Sequence, residues 1–322
     1  MIGDAAHIQI VKCQQAGYQV SPSLSALRSI DSATGQPLQV RSSFSSDPSS
    51  SPVTMPIIRI DSLDDPRVEP YRNLKAKNLQ RGGEFFIAEG RKVVERMLDS
   101  PFRTASVFVS EKREAEYAPK VPADVPLYVA PQSVMNQTVG FDFHVGVLGC
   151  GYRPARAPLE NVLTQQTERM TVVVCPNCDN PENMGAIIRI GAAFGIDALL
   201  LGESCCDPYS RRVIRVSMGA AFSLPIIESP DLASDLKLLK AEWQFQLAAT
   251  ILGPDAESLE RATRSPRFGV LLGNEDTGLG ESWTSLCDKQ VTIPMSRGVD
   301  SLNVAVTAGI MLFHFRSDPP VA

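Results

Sequence analysis

Five residues of this 322-residue chain combine type and setting in a way that suits chemistry on a polar ligand: Asn183, Arg189, Glu275, Ser301 and Asn303. Ser301 and Asn303 stand at the mouth of SLNVAVTAGIMLFHF, an otherwise apolar stretch long enough for about four helical turns. A serine there is equally an ordinary N-cap, accepting a backbone N–H two or three residues on. Asn303 is expected inside the first turn, where asparagine is a mediocre helix former and its amide needs partners once Leu302, Val304 and Val306 are buried. Arg189 lies in a helix expected from Met184 onward, whose Ile187, Ile188, Ile190, Ala192 and Phe194 run nearly all the way round. A guanidinium buried there must reach a carboxylate or an open cleft. Asn183, at the entrance of that helix after the Asn180-Pro181 turn, is otherwise a cap or turn residue.

Glu275 sits in FGVLLGNEDTGLGESW, where a short apolar strand, Phe268 to Leu272, runs into a glycine-rich loop. In open α/β sheets ligands bind at the carboxyl ends of strands. Gly273, Gly278 and Gly280 permit close backbone approach to a bound molecule. The loop lacks the GxGxxG order, and only a short helical turn follows it, so a phosphate-binding helix is not indicated.

The elements that must position these residues alternate between strand and helix patterns. Strands are expected at Met170 to Cys175, Ala198 to Leu201, Leu224 to Ile227, Phe245 to Ala249, Val270 to Leu272 and Val291 to Ile293, with helices between them. Periodicity alone gives an ordinary doubly wound sheet. Upstream, residues 56–150 pattern as a small α/β/α domain. It has a polar helix at Arg72 to Arg81, strands at Phe85 to Ala88, Thr104 to Val109, Leu127 to Val129 and Val145 to Leu148, and a helix at Arg91 to Leu98. A Pro/Arg-containing linker, 151–169, follows. The Ser/Pro-rich segment SSFSSDPSSSPVTM has too little apolar patterning to fold, so residues 1–55 are expected to be a disordered leader. Its interspersed aspartates and sparse arginines fit a transit peptide poorly.

Seven cysteines at irregular spacing suggest a reducing compartment, and a cytoplasmic location is expected. Cys175 and Cys178 form a lone CxxC, read as two small buried thiols and not as a zinc site. His7, His144 and His314 are not spaced for a metal or a triad, so no metal is expected. No apolar run is long enough for a membrane span. The net charge of −5 excludes a bulk polyanion binder but leaves local basic patches open.

Taken together, in this order and spacing, NPENMGAIIR, LLGNEDTGLG and IPMSRGVDSLNVAV resemble the three signature motifs of the SpoU (TrmH) family of RNA ribose methyltransferases, within the SPOUT superfamily. The resemblance covers roughly residues 170 to 316, including RRVIRVSMGAAFSLPI. Upstream, GGEFFIAEGRKVVERML resembles the family's N-terminal RNA-binding domain, with its FxxEG element at Phe86 to Gly90. Met55 opens this family-like region, which favours an upstream start-codon assignment for the leader.

The resemblance implies a SPOUT catalytic domain, residues 170–318, closed by a deep trefoil knot that periodicity could not have suggested. It implies S-adenosylmethionine as cofactor, cradled by Leu272, Gly273, Ile293, Met295 and Leu302, and tRNA or rRNA as the partner that is methylated on a ribose 2′-hydroxyl. It also implies a homodimer. Arg189 matches the family's catalytic arginine. A guanidinium is effectively always protonated, so it is read here as an electrostatic clamp on phosphate and developing alkoxide, not as a base. Asn183, Glu275, Ser301 and Asn303 would orient it and the ribose, with Glu275 a candidate partner of Arg189. Arg211, Arg212 and Arg215 are either a solvated face or, on the family's account, a phosphate contact. An RNA-binding protein without catalysis, or a base methyltransferase of the same superfamily, are the alternatives.

Overall fold

The computed structural model describes residues 56–74, 83–163, 167–253, 255–296 and 301–316. The expectations for the leader, for most of the Arg72 to Arg81 helix and for Arg297 to Asp300 of the third motif lie outside these residues.

The first sheet is built from β1 (Ile57–Arg59), β2 (Phe85–Glu89), β3 (Thr104–Ser110), β4 (Leu127–Ala130) and β5 (Val147–Tyr152), in the order β1-β4-β3-β5-β2. Two helices cover it, α1 (Arg91–Leu98) and α2 (Gln132–Val139). On α1, Val93, Val94 and Met97 form one buried stripe, which packs with Val107, Val109, Leu127 and Val129 of the sheet. Met135 and Val139 of α2 join Tyr71, Phe108 and Leu148 in a second core. The last strand begins and ends later than the sequence indicates. Gly149 and Gly151 are poor strand formers, yet a Cβ at either would collide with Met97 or with the Phe86 ring, so the glycines extend the strand by admitting those side chains.

The second sheet is wholly parallel. Its members are β6 (Met170–Cys175), β7 (Ala198–Leu201), β8 (Ile226–Glu228), β9 (Gln246–Thr250), β10 (Glu257–Ser258), β11 (Arg267–Leu271) and β12 (Lys289–Thr292), in the order β10-β12-β9-β11-β6-β7-β8. Four helices accompany it: α3 (Pro181–Phe194), α4 (Arg211–Val216), α5 (Leu232–Ala241) and α6 (Val304–Phe315). Strands buried on both faces read as continuous apolar runs, as VVVC and ALLL do. Residues of α3 and α6 pack on one face with Val173, Leu199 and Val270, and residues of α5 on the other with Val172, Val174 and Leu200.

Phe86, Phe102, Tyr209 and Phe222 form an aromatic cluster joining the two sheets' cores. Two ion pairs flank it: Arg153 to Asp207 at 2.6 Å and Arg211 to Glu89. The arginines of α4, expected as a solvated face or a phosphate contact, all have carboxylate partners. Arg211 and Arg215 both bond Glu89, the carboxylate of the FxxEG element, and Arg212 bonds Glu182. A buried glutamate opposite the helix selects cations there, and Arg211 spends its charge inside the fold, while Arg212 and Arg215 stay partly exposed.

Candidate active site

The carboxyl ends of β9, β11 and β12 converge beneath the start of α6 and enclose a cleft of about 470 Å³. Thr250, Ile251 and Leu252 continue β9, Gly273 to Leu279 continue β11, and Ile293 and Met295 follow β12. Ser301, Leu302, Val304, Thr307 and Met311 close the cleft from the α6 side. Four of the five residues expected to cradle the cofactor, Gly273, Ile293, Met295 and Leu302, thus line one cavity, and Leu272 lies buried directly behind Gly273. Thr250, Leu252 and Thr307 were not anticipated. Their signal was available for β9, since the cleft in a parallel sheet collects the residues just past each strand's carboxyl end.

The glycine-rich loop is a built structure. Asn274 and Gly278 exchange backbone hydrogen bonds of 3.1 and 3.0 Å, and the Asn274 side chain accepts from the N–H of Asp276 at 2.9 Å. Gly278 takes a left-handed φ of +65°, the conformation that lets the loop fold back. The fold-back brings the chain so close that a Cβ on Gly273 would stand 2.8 Å from the backbone carbon of Gly278 and 2.9 Å from the nitrogen of Leu279. Glycine at 273 is what permits this fold-back.

Asn303, and not Ser301, caps α6. Its Oδ1 accepts from the N–H of Ala305 at 2.9 Å and of Val306 at 3.3 Å, so the expectation that Asn303 lies in the first turn is one turn-position off. Asparagine is among the best N-caps, which is why the helix starts after it. Capping with oxygen fixes the amide's orientation and aims Nδ2 away from the helix, where it donates to Asn183 Oδ1 at 2.9 Å and Glu275 Oε1 at 2.8 Å. Three of the five expected polar residues, one from each motif, are thereby joined. Ser301 lies exposed on the cleft lip.

Arg189 departs from the sequence reading. It is exposed, on the outer side of α3, and it makes no hydrogen bond or ion pair among the described residues. Glu275, the partner suggested for it, is held by Asn303 instead. The α3 helix does bury Ile187 and Ile188 beneath it, but its other side is only partly covered, so the guanidinium needs no internal counter-charge.

The CxxC is less isolated than its sequence suggests. Cys206 N–H donates to Cys178 O at 2.9 Å, and Cys205 Sγ lies 3.0 Å from Cys175 O. Burial pushes Cys206 up to about 12 and Cys175 and Cys178 well above the ordinary thiol range, so these sulfurs stay protonated. Among the described residues no group of three His, Cys, Asp or Glu is arranged to hold a metal ion.

Residues 170–313 match the SpoU rRNA methylase family. An uncharacterized tRNA/rRNA methyltransferase of Mycobacterium tuberculosis is 36% identical over 78% of this chain and 88% of its own length. A 23S rRNA (guanosine-2'-O-)-methyltransferase of Acinetobacter baylyi is 29% identical over 69% of the chain and 92% of its own. The AdoMet-bound rRNA methyltransferase structure from Sinorhizobium meliloti superposes with a TM-score of 0.68 at 26% identity, covering 80% of this chain and 97% of that one. Fold and cleft together define an S-adenosylmethionine-dependent RNA methyltransferase with the α/β architecture of the SPOUT class. The chain belongs to the SpoU rRNA methylase family.

Proposed function

We infer that this enzyme transfers a methyl group from S-adenosylmethionine to a ribose 2′-hydroxyl of ribosomal RNA, using the cleft between β9, β11, β12 and α6. The observation that carries this reading is the junction of Asn183, Asn303 and Glu275, one residue from each motif, through which Glu275 is held against the cleft. The cleft also fits the cofactor. Its volume lies in the ~300–1,000 Å³ range of small-molecule sites, and Gly273 lets the loop that walls it fold back on itself.

Gly273, Ile293, Met295 and Leu302, with Leu272 behind them, would hold the cofactor largely through backbone groups. Bound there, S-adenosylmethionine supplies a methyl group already made electrophilic by its sulfonium. The chain must bring the hydroxyl in line and handle its proton. Buried Asn183 and the cap residue Asn303 hold Glu275, which lines the cleft beside Ser301, in a position suited to orienting a ribose. Fixing that geometry can contribute on the order of 7 to 11 kcal/mol at best. Arg189, exposed and without a carboxylate partner among the described residues, is available to clamp the target phosphate and stabilise the developing alkoxide. A phosphate oxygen or water takes the proton, since a guanidinium cannot.

Residues 56–150 are read as the domain that binds substrate RNA, 151–169 as the linker, and 170–318 as the methyltransferase domain. The trefoil threading belongs to this reading too, as what membership of the family implies. A cytoplasmic homodimer completes it. Val306, Ile310 and Phe313 form an exposed apolar row along α6, with Val306 50% and Phe313 55% exposed, and such a row is stable in water when a second copy covers it. Tritiated S-adenosylmethionine and ribosomal RNA from cells lacking the gene give the test: incorporation at one ribose that resists alkaline cleavage is expected. Label appearing on a base, or none on ribosomal RNA, overturns it.

A further inference from the structure

The edge of the first sheet carries a surface that the methyl-transfer cleft does not use. Phe85 opens β2, the edge strand, and is 36% exposed. Across the antiparallel ladder its register partner is Tyr152, and register partners share a face. The two rings lie 5.0 Å apart at 49°, and the Arg103 guanidinium sits 4.3 Å from the Tyr152 centroid. A ladder of ring, ring and guanidinium results, with Phe85 its outer rung.

Cations also stand at this edge, whereas several others around the sheet are paired with carboxylates, as Arg59 is with Glu114, Arg91 with Glu116 and Lys120 with Glu95. Arg103 and Arg156 are exposed and make no ion pair among the described residues. Glu84 is the acidic neighbour at this edge. Phe85 also walls a cleft of about 240 Å³, shared with Arg153, Tyr209 and Ser210. That is below the ~300 Å³ at which small-molecule sites begin, so the cleft suits one planar group of a longer polymer.

We propose that Phe85 and Tyr152, backed by Arg103 and followed four residues on by the exposed Arg156, are a stacking platform for an unpaired base of the RNA substrate, remote in sequence from the methyl-transfer motifs. The proposal rests on the RNA methyltransferase reading above. A paired base has its faces covered, whereas an unpaired one exposes a π-face that aromatic side chains and guanidinium planes recognise regardless of sequence. The arginines supply phosphate contacts that a chain of net charge −5 must concentrate locally.

The probe is a mixed-sequence 12-nucleotide single-stranded RNA carrying 4-thiouridine, compared with the same strand annealed to its complement, on the full chain. Crosslinks are expected at Phe85 or Tyr152 with the single strand only. Phe85→Leu keeps apolar bulk without a π-face and should weaken single-strand binding about five- to hundredfold, while Phe85→Trp retains it. Both should keep the wild-type melting temperature and S-adenosylmethionine affinity. Wild-type affinity in Phe85→Leu, equal binding of duplex, or no single-strand binding at all overturns the platform. Oligonucleotide binding does not read catalysis, so failure of methyl transfer to RNA would sink the enzymatic reading and leave this result separate.

Discussion

Asn303 Nδ2 donates to Asn183 Oδ1 across 120 residues of sequence at 2.9 Å, while Asn303 Oδ1 caps the helix that begins beside it. One amide thus performs a structural task with its oxygen and a site-building task with its nitrogen. Substituting Asn303→Asp separates them. Aspartate caps as well as asparagine, so the melting temperature should barely move, but a carboxylate cannot donate to Asn183 and faces Glu275 with like charge. Methyl transfer should fall on the order of 100-fold through misplacement of Glu275. Thermal melts and single-turnover rates check this, and Asn303→Asp with wild-type turnover would remove Asn303 from the site.

Arg189 offers a second separation. Because it is exposed, Arg189→Ala should change stability by no more than about 0.5 kcal/mol, and S-adenosylmethionine affinity should hold, while methyl transfer is mostly lost. Arg189→Lys should recover only part of the rate, since a point charge replaces a planar fork. Loss of cofactor binding in Arg189→Ala, read by calorimetry, would contradict the assignment to RNA.

How much of this was legible in the sequence depends on how local each cause is. The strands Met170 to Cys175 and Ala198 to Leu201 and the helix Arg91 to Leu98 were read to the residue, because apolar runs and a buried stripe are local signals. The strand ending at Tyr152 was misplaced, because Gly149 and Gly151 are explained only by Met97 and Phe86, which lie elsewhere in the chain. Three motifs together point to the candidate polar residues, but they leave open whether Ser301 is the cap and offer Glu275 as a partner of Arg189. The cap is a local choice between two good capping residues, whereas the bonds of Asn303 to Glu275 and Asn183 span 28 and 120 residues, which no window of sequence contains. The short edge strands β1 and β10 went unread for lack of length.

Gly273 tests the cleft wall. Valine at this position would place a branched side chain against the backbone of Gly278 and Leu279, so Gly273→Val should open the loop and weaken S-adenosylmethionine binding by at least tenfold. Gly273→Ala should do the same to a smaller degree. Calorimetric titration reads both, and undiminished affinity in Gly273→Val would mean that the loop does not contact the cofactor.

Glu89 and Arg211 tie the first sheet to α4, and Glu89 is only 7% exposed. Glu89→Ala strands a mostly buried guanidinium and should cost about 3 kcal/mol, in the range for breaking one side of such a pair. The double variant Glu89→Ala, Arg211→Met removes both charges and should regain most of the loss. Urea denaturation of the single and double variants measures the coupling. Additive losses would show that the pair does not act as a unit.

The buried thiols set a limit on alkaline stability. Burial raises Cys150, Cys206 and Cys287 to about 12 and moves Cys175 and Cys178 in the same direction. In the unfolded chain these groups lose their protons near pH ~8.5. Between there and about 12 the native state therefore binds more protons than the unfolded one, and stability falls as pH rises. Below about pH 7 both states hold the protons, and the same thiols contribute almost no slope. Urea unfolding at pH 6, 7 and 10 should show no loss from these thiols between the first two and a loss of at least ~2 kcal/mol at the third. Native thiols should also react slowly with iodoacetamide at pH 8, because the thiolate is the nucleophile. A stability that stays level to pH 10, or prompt alkylation of Cys175 and Cys178 in the folded enzyme, would show that these sulfurs are not held in the apolar setting described.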